Sequence, residues 1–326
     1  MDLIPDDTLR AFTASVEDLL TNRFPTNRLR QLIEDGDPFD GQLWKAGTDL
    51  GWQLLAVPEC LGGSGATVVE LGLLCESLGR WVASGPWIGT AVVATLLGGL
   101  DGYRDELAAI ASGERRYGLA LPSASGTSCR VVESAGAQEF LLLSGGRARL
   151  CELPVASSRA AGFDPADYVV DVDVAPSSDR ALACSPHRAR QLVAALTAAT
   201  AAGVAGRCVE LSVRHAGERE QFGRPIGAYQ AIKHRCADMA MQREVAVAST
   251  YYALATINGD HTDAAVAVAS AVSVSTDAAV ANAENCVQVY GAMGFTWECD
   301  AHLYLKRAHR LRAIAGALAE EERKSV

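Results

Sequence analysis

The chain has 326 residues, 49% of them hydrophobic and 21% charged, a globular composition that excludes a wholly disordered protein. It carries 29 Lys and Arg against 39 Asp and Glu, net −10 at neutral pH, and the excess acid lies in residues 1–114, which hold 17 acids and 7 bases. That balance argues against nucleic acid or an anionic membrane as the main partner. The length predicts two or three domains with a sizeable core. Nine scattered cysteines, an odd number with no Cys-x-x-Cys pair, fit reduced thiols better than a disulfide frame or a structural zinc site. The opening MDLIPDDTLR has acids where a secretory signal has bases. The longest apolar stretch, Pro86–Leu97, is too short to cross a bilayer. A soluble, cytoplasmic protein is expected.

Three textures follow one another. Residues 1–114 read as an N-terminal domain of short helices broken by turns. Within it, Phe39–Leu54 carries Leu43, Ala46, Leu50 and Leu54 at helical spacing. A Pro/Gly loop, AVPECLGGSGAT, comes next, then a helix over Val68–Val82, and Ala108–Gly113 closes the region. Residues 115–186 hold β-favouring runs at Tyr117–Leu121, Arg130–Glu133, Glu139–Leu143, Tyr168–Val172 and Arg180–Cys184, punctuated by Gly, Ser, Pro and Asp; they predict a small β-domain. From 187 to 326 the pattern turns helical: seven of the twenty residues 191–210 are alanine, the best helix former. Breaks at Gly223-Arg224-Pro225, Asn258-Gly259-Asp260 and Gly291–Thr296 leave helices near 187–218, 227–257, 262–290 and 300–322, which predict a closely packed four-helix bundle. The class is α+β, mostly α.

The segment His215-Ala-Gly-Glu-Arg219-Glu-Gln221-Phe222-Gly223-Arg-Pro-Ile-Gly-Ala-Tyr-Gln230, with His234 and Ala237-Asp238-Met239 after it, resembles the flavin-binding helix pair of the acyl-CoA dehydrogenases. Gln288-Val-Tyr-Gly291-Ala292-Met-Gly294-Phe295-Thr296 resembles that family's Gln-x-x-Gly-Gly-x-Gly loop. Leu50-Gly51-Trp52, Val57-Pro58-Glu59, Gly62-Gly63-Ser-Gly65 and Glu76-Ser-Leu-Gly79-Arg80 are similar to its N-terminal acyl-binding domain. The resemblance covers roughly residues 40–114 and 190–312, in order and separated by a β-rich insert. It implies the acyl-CoA dehydrogenase fold: an N-terminal helical domain, a small middle β-domain and a C-terminal four-helix bundle.

It also implies FAD, and the residue types suit that cofactor. A pyrophosphate calls for a fixed cation, and Arg219 is a bidentate donor. Gly291 and Gly294, with Ala292 between them, allow close backbone approach. Gln221, Gln230 and Gln288 offer amides, and Phe222 offers a stacking surface. In the family these groups reach across an interface to flavin held mainly by the neighbouring subunit. Each residue also has a plainer reading. Arg219 would serve as a surface ion pair or helix cap, and Gly291–Gly294 would serve as a helix stop.

The implied reaction removes the α-proton of an acyl-CoA thioester and passes a β-hydride to flavin, giving a 2-enoyl-CoA; a Glu acts as base. The commoner position for that Glu lies in a Tyr-Glu-Gly-Thr-like turn, which counting from Gln288 places on Ile314-Ala315-Gly316-Ala317, with Ala315 at the base position. The alternative falls near Val193. Neither is a carboxylate. The loop that begins Leu121-Pro122 is shortened and lacks the family's acid. The chain thus keeps groups that reach to a neighbour's flavin and lacks those that act on its own. It resembles the small, non-catalytic subunit of heteromeric actinobacterial acyl-CoA dehydrogenases of the steroid side-chain type. That resemblance implies a larger catalytic partner, an α2β2 assembly, an acyl-CoA substrate and an electron-transfer flavoprotein as electron acceptor.

Two other readings stay open: a self-sufficient homo-oligomer with an unusual base such as Glu298, and a degenerate acyl-CoA-binding scaffold without flavin. Lys306, Arg307, Arg310 and Arg312 read as a solvated helix face or interface ion pairs. Glu320-Glu321-Glu322 read as a frayed helix end. His215 reads as packing, and the six histidines form no metal motif.

Overall fold

In the computed structural model, which describes residues 7–122, 128–154, 160–173 and 179–324, the N-terminal part is helical. Helices α1 (Asp7–Arg23), α2 (Thr26–Glu34), α3 (Gly41–Asp49), α4 (Val68–Arg80), α5 (Trp87–Leu97) and α6 (Arg104–Ala111) follow in order. The single helix expected over Phe39–Leu54 is two pieces. The Asp40 carboxylate accepts from the Gln42 and Leu43 amides and starts α3. Gly51, with φ +72°, ends it, and Trp52–Leu54 form a 3-10 turn. Trp44, Trp52 and Trp87 meet there in the core. At α4 the Thr67 side chain and Glu70 cap reciprocally, which sets the start expected at Val68.

Seven strands form one sheet among the described residues: β1 (Tyr117–Pro122), β2 (Ser128–Val132), β3 (Glu139–Ser144), β4 (Arg147–Glu152), β5 (Ala160–Ala161), β6 (Tyr168–Asp173) and β7 (Arg180–Leu182), in the order β5-β6-β2-β1-β3-β4-β7. Only the β1–β3 pairing is parallel, with Leu119 beside Leu141. Leu119, Val132, Leu141 and Leu150 join the main core, while Ala120, Val131, Phe140, Leu142 and Val172 form a second cluster on the other face. Strands buried on both faces read as continuous apolar runs. β4 and β5 were not expected. The loop after Pro122 falls outside the described residues.

The C-terminal part begins at α7 (Pro186–Glu218), which Ser185 caps and Pro186 opens. A two-stranded hairpin follows, β8 (Glu220–Gln221) and β9 (Arg224–Pro225), then α8 (Gln230–Asn258), α9 (Ala264–Tyr290) and α10 (Ala301–Lys324). α8 starts three residues later than expected because Ile226–Ala228 wind as a 3-10 turn. Two helices exceed Pro86–Leu97 in apolar length: α7 and the stretch Ala264–Phe295 are long and apolar enough to cross a membrane. The apolar window of α7 is 89% buried inside the bundle and that of the second is half-buried, so core packing accounts for α7.

Candidate cofactor-binding site

Four antiparallel helices bring the C-termini of α7 and α9 and the N-termini of α8 and α10 to one end of the bundle. The chosen residues collect there. Arg219 follows α7, Gln221 and Phe222 sit in the hairpin, Gln230 opens α8, Gln288 lies in the last turn of α9, and Gly291–Phe295 form a 3-10 turn between α9 and α10. Two contacts tie these ends together. The His215 ring stacks on Tyr290 at 4.0 Å and 15°, so His215 is indeed packing. Arg235 of α8 donates to Asn285 of α9.

The hairpin is a two-residue turn in which both Phe222 (φ +53°) and Gly223 (φ +77°) are left-handed. Glycine takes that conformation freely; phenylalanine adopts it at a cost of about 1–2 kcal/mol. The result is an aromatic ring 94% exposed. Tyr229 steadies the turn, donating to the Gln221 carbonyl at 3.1 Å with Arg224 4.2 Å above its ring. Gln221 turns its amide to the Glu220 carbonyl, 2.8 Å away. Gln230, Gln288 and Arg219 are exposed, and their side chains make no hydrogen bond or ion pair among the described residues. Tyr229 supplies no side-chain cap, so α8 starts with free backbone donors at the positive end of its dipole.

The Gly-rich turn needs its glycines for different reasons. Gly291 has φ +64° and ψ −142°, a conformation nearly confined to glycine. A Cβ on Gly294 would meet the Val287 carbonyl oxygen at 2.7 Å. Ala292 stands exposed between them. An unpaired guanidinium, free amides, an outward aromatic face and backbone open to close approach suit one flank of a dinucleotide. All these groups except Gly294 lie on the outer surface, so the bundle end offers a wall rather than an enclosure.

Neither family base position is chemically active. Val193 is buried in the core. Ile314-Ala315-Gly316-Ala317 do not form a turn, because α10 runs unbroken from Ala301 to Lys324. Ala315 instead lines an apolar groove of about 520 Å³ with Ala194, Val268, Val272 and Leu318. Glu298 is exposed, and hydrogen bonds from its own backbone and from Thr296 hold its acid below the ordinary carboxylate value. Glu298 thus stands on the outer surface just past the Gly-rich turn, with no enclosed, desolvated setting around its carboxylate. Among the described residues no group of His, Cys, Asp or Glu is arranged for a metal.

Two expectations are corrected. Arg307 and Arg310 are not a solvated face. Arg307 donates to Asp164 at 2.6 Å and to the Ala83 and Val82 carbonyls, and Arg310 donates to Asp167 at 2.6 Å. Both arginines are deeply enclosed where the sheet, the first helical part and α10 meet. Glu133 lies there too, accepting from the Gly89 amide at 2.9 Å, its acid pushed up to about 7 by burial against the pull of Arg310. Nor is the acidic terminus frayed: Glu322 pairs with Arg190 at 2.6 Å and His187 at 2.9 Å, and Glu321 is buried.

Family models match on both sides of the sheet: "Acyl-CoA dehydrogenase, N-terminal domain" over residues 6–114 and "Acyl-CoA dehydrogenase, C-terminal domain" over 191–320. Acyl-CoA dehydrogenase FadE34 of Mycobacterium tuberculosis is 39% identical over 278 residues, which are 80% of this chain and 38% of the relative. The chain therefore spans well under half of that relative's length. Acyl-CoA dehydrogenase IpdE2 of the same organism is 29% identical over 313 residues, 94% of this chain and 92% of the relative. Among solved structures, the ChsE4-ChsE5 complex from M. tuberculosis superposes with a TM-score of 0.84 at 22% identity, over 99% of this chain and 97% of that one.

Proposed function

The chain belongs to the acyl-CoA dehydrogenase family, FAD-binding flavoproteins that oxidise CH–CH bonds of acyl-CoA thioesters, and from that premise we propose that it is the non-catalytic subunit of a heteromeric member. In this reading the chain is divided at residues 114 and 186, works in the cytoplasm, and pairs as α2β2 with a larger chain that supplies the catalytic Glu. The observation that carries the reading is the unbroken α10, which puts Ala315 inside a helix where the family has its base-bearing turn.

FAD, when bound, supplies the hydride acceptor. The residues of this chain hold it from one side. Arg219 would neutralise pyrophosphate charge, Gln230 and Gln288 would donate or accept through their amides, Gln221 and the Phe222 face would border it, and Gly291, Ala292 and Gly294 would let backbone approach. The α-proton goes to the partner's carboxylate. Support comes from outside the chain as well: one structural neighbour is a complex of two named chains, and FadE34 is more than twice the length of the stretch it shares. The substrate class is the acyl-CoA thioester of a bulky, steroid-type side chain, a reading supported by a second structural neighbour, a steroid ACAD (TM-score 0.86, 22% identity), and an electron-transfer flavoprotein takes the electrons.

The test is visible flavin absorbance of the purified chain, alone and co-expressed with a larger dehydrogenase chain. A colourless chain that becomes yellow with its partner, at one FAD per pair, is the expected result. Stoichiometric FAD on the chain alone would overturn the half-site. Within the complex, Arg219→Ala removes charge-assisted hydrogen bonds of about 1.5–3 kcal/mol, so flavin retention should fall roughly tenfold or more.

A further inference from the structure

The Gly-rich turn is an exposed segment with little packing of its own. Gly291, Ala292, Met293 and Phe295 all face solvent, and only Gly294 is buried. Two glycines in five residues make such a segment expensive to order. Locally it is held by the Thr296 amide and hydroxyl, which donate to the Met293 carbonyl at 3.0 and 2.9 Å. Its exit is held by something far away in the chain.

α2 packs Leu29 and Leu32 into the core. Its opposite face presents Arg30 and Glu34, four residues apart and therefore adjacent on the helix. Arg30 donates from Nε and Nη2 to Asp300 Oδ1 at 3.0 and 2.5 Å across 270 residues of sequence, and its guanidinium lies 5.6 Å from the centre of the Trp297 ring. Glu34 accepts from Trp297 Nε1 at 2.9 Å. Trp297 also stacks with His302, in the first turn of α10, at 5.3 Å and 30°. The guanidinium thus engages both Trp297 and Asp300, the two residues through which the chain leaves the turn and enters α10. α2 is itself anchored, because Arg28 pairs with the buried Asp40 at 2.8 Å.

We propose that Arg30 is a positioning residue for the flavin-facing turn: from α2 it clamps Trp297 and Asp300 and thereby sets the pose of Gly291–Phe295. The inference rests on the half-site reading above and extends it to a helix that carries none of the family motifs. An ordinary ion pair at this spot contributes only to overall stability. A positioning pair contributes to one segment, and the two are separable.

The experiment uses the complex with its partner and compares Arg30→Met, Arg30→Lys and Arg219→Ala. Amide hydrogen exchange is followed over residues 288–297 and, as an internal reference, over the middle of α7. Arg30→Met should speed exchange in 288–297 by about tenfold, the loss of one charge-assisted pair, with α7 unmoved, and should shed flavin faster. Arg30→Lys should fall between, since an ammonium keeps the charge but neither the two-nitrogen grip nor the flat face over Trp297. If Arg30→Met does not fold, the isosteric Asp300→Asn carries the same expectations. Exchange that is unchanged in 288–297, or that rises equally in α7, overturns the inference. So does wild-type flavin retention in Arg30→Met when Arg219→Ala sheds flavin, and in that case the half-site stands. If neither variant sheds flavin, the half-site reading falls and this inference falls with it.

Discussion

Two arginine-bearing places in this chain have opposite surroundings. At the open end of the bundle Arg219 is exposed and has no ion pair among the described residues. At the junction of sheet, first helices and α10, the Arg307 side chain is 2% exposed and every direction it points is answered: Asp164 at 2.6 Å, the Ala83 carbonyl at 3.1 Å and the Val82 carbonyl at 3.4 Å. The same side chain therefore does two jobs, and pairing within the chain distinguishes them. An arginine that the fold satisfies holds the parts together; one that it leaves unsatisfied at a surface of outward aromatics is available to something else.

Breaking the junction gives the largest effect. Arg307→Met takes from the buried Asp164 its 2.6 Å partner, leaving it the Ala166 amide and a 3.4 Å contact to Arg310, and removing one partner of a buried pair costs about 3 kcal/mol, the low end for such pairs. The denaturant midpoint should drop accordingly. Converting Asp164→Leu in the same chain should recover part of that loss, because no buried charge is then left alone. A double variant less stable than Arg307→Met would mean that Asp164 is not the group being stranded.

Titration of the same junction gives a smaller, pH-dependent effect. Burial pushes Glu133 up to about 7, with Arg310 and the Gly89 amide pulling it down and Asp167 pushing it further up. The folded value lies above the unfolded one, so the unfolded chain loses the proton first. The contribution of Glu133 is complete below about pH 4.5 and is lost as pH rises towards 7. Glu133→Gln keeps an acceptor for Gly89 and removes the titration. It should match wild type near pH 4 and exceed it by up to about 3 kcal/mol at pH 8. Burial also raises Asp167, while Arg307 and Arg310 lower Asp164; both remain in the variant, so the difference between the chains isolates Glu133. A constant difference across pH would assign the titration to another group.

What could be read beforehand follows the range of the forces involved. The four bundle helices were legible because long alanine-rich runs end at Gly, Pro and Asn, which is local information. The expected helix at 300–322 runs through Ala315, although counting from Gln288 places the base-bearing turn on the same residues, and the structure resolves the two in favour of the helix. The split in Phe39–Leu54 was missed because apolar spacing continues across Asp40 and Gly51, whose cap and left-handed turn outweigh it. β4 carried a usable signal, Arg147-Ala148-Arg149-Leu150 alternating polar and apolar, whereas the two alanines of β5 carry none. The residues expected on the cofactor side lie in short local motifs, and antiparallel helices bring them to one end of the bundle. Of the two readings of the α10 bases, ion pairs hold for Arg307 and Arg310 and a solvated face for Arg312; the choice was not legible because Asp164 and Asp167 stand 143 residues away in sequence, and nothing within a helix announces so distant a partner. Arg30 and Trp297 were missed for the same reason.

The smallest effect is the control for the whole comparison. Arg312 lies on α10 one turn and a half from Arg307 and also makes a 2.6 Å contact, to Asp277 of α9, but these side chains are 45% and 66% exposed. Water competes for both groups, and holding two long side chains together offsets most of the attraction. Arg312→Ala should therefore change stability by about 0.5 kcal/mol or less and leave flavin retention in the complex as it was, measured by the same midpoint and absorbance. Equal length with unequal burial makes this pair the right partner for Arg307→Met. If Arg312→Ala cost as much, burial would not be what separates the arginines that build this fold from those at its surface.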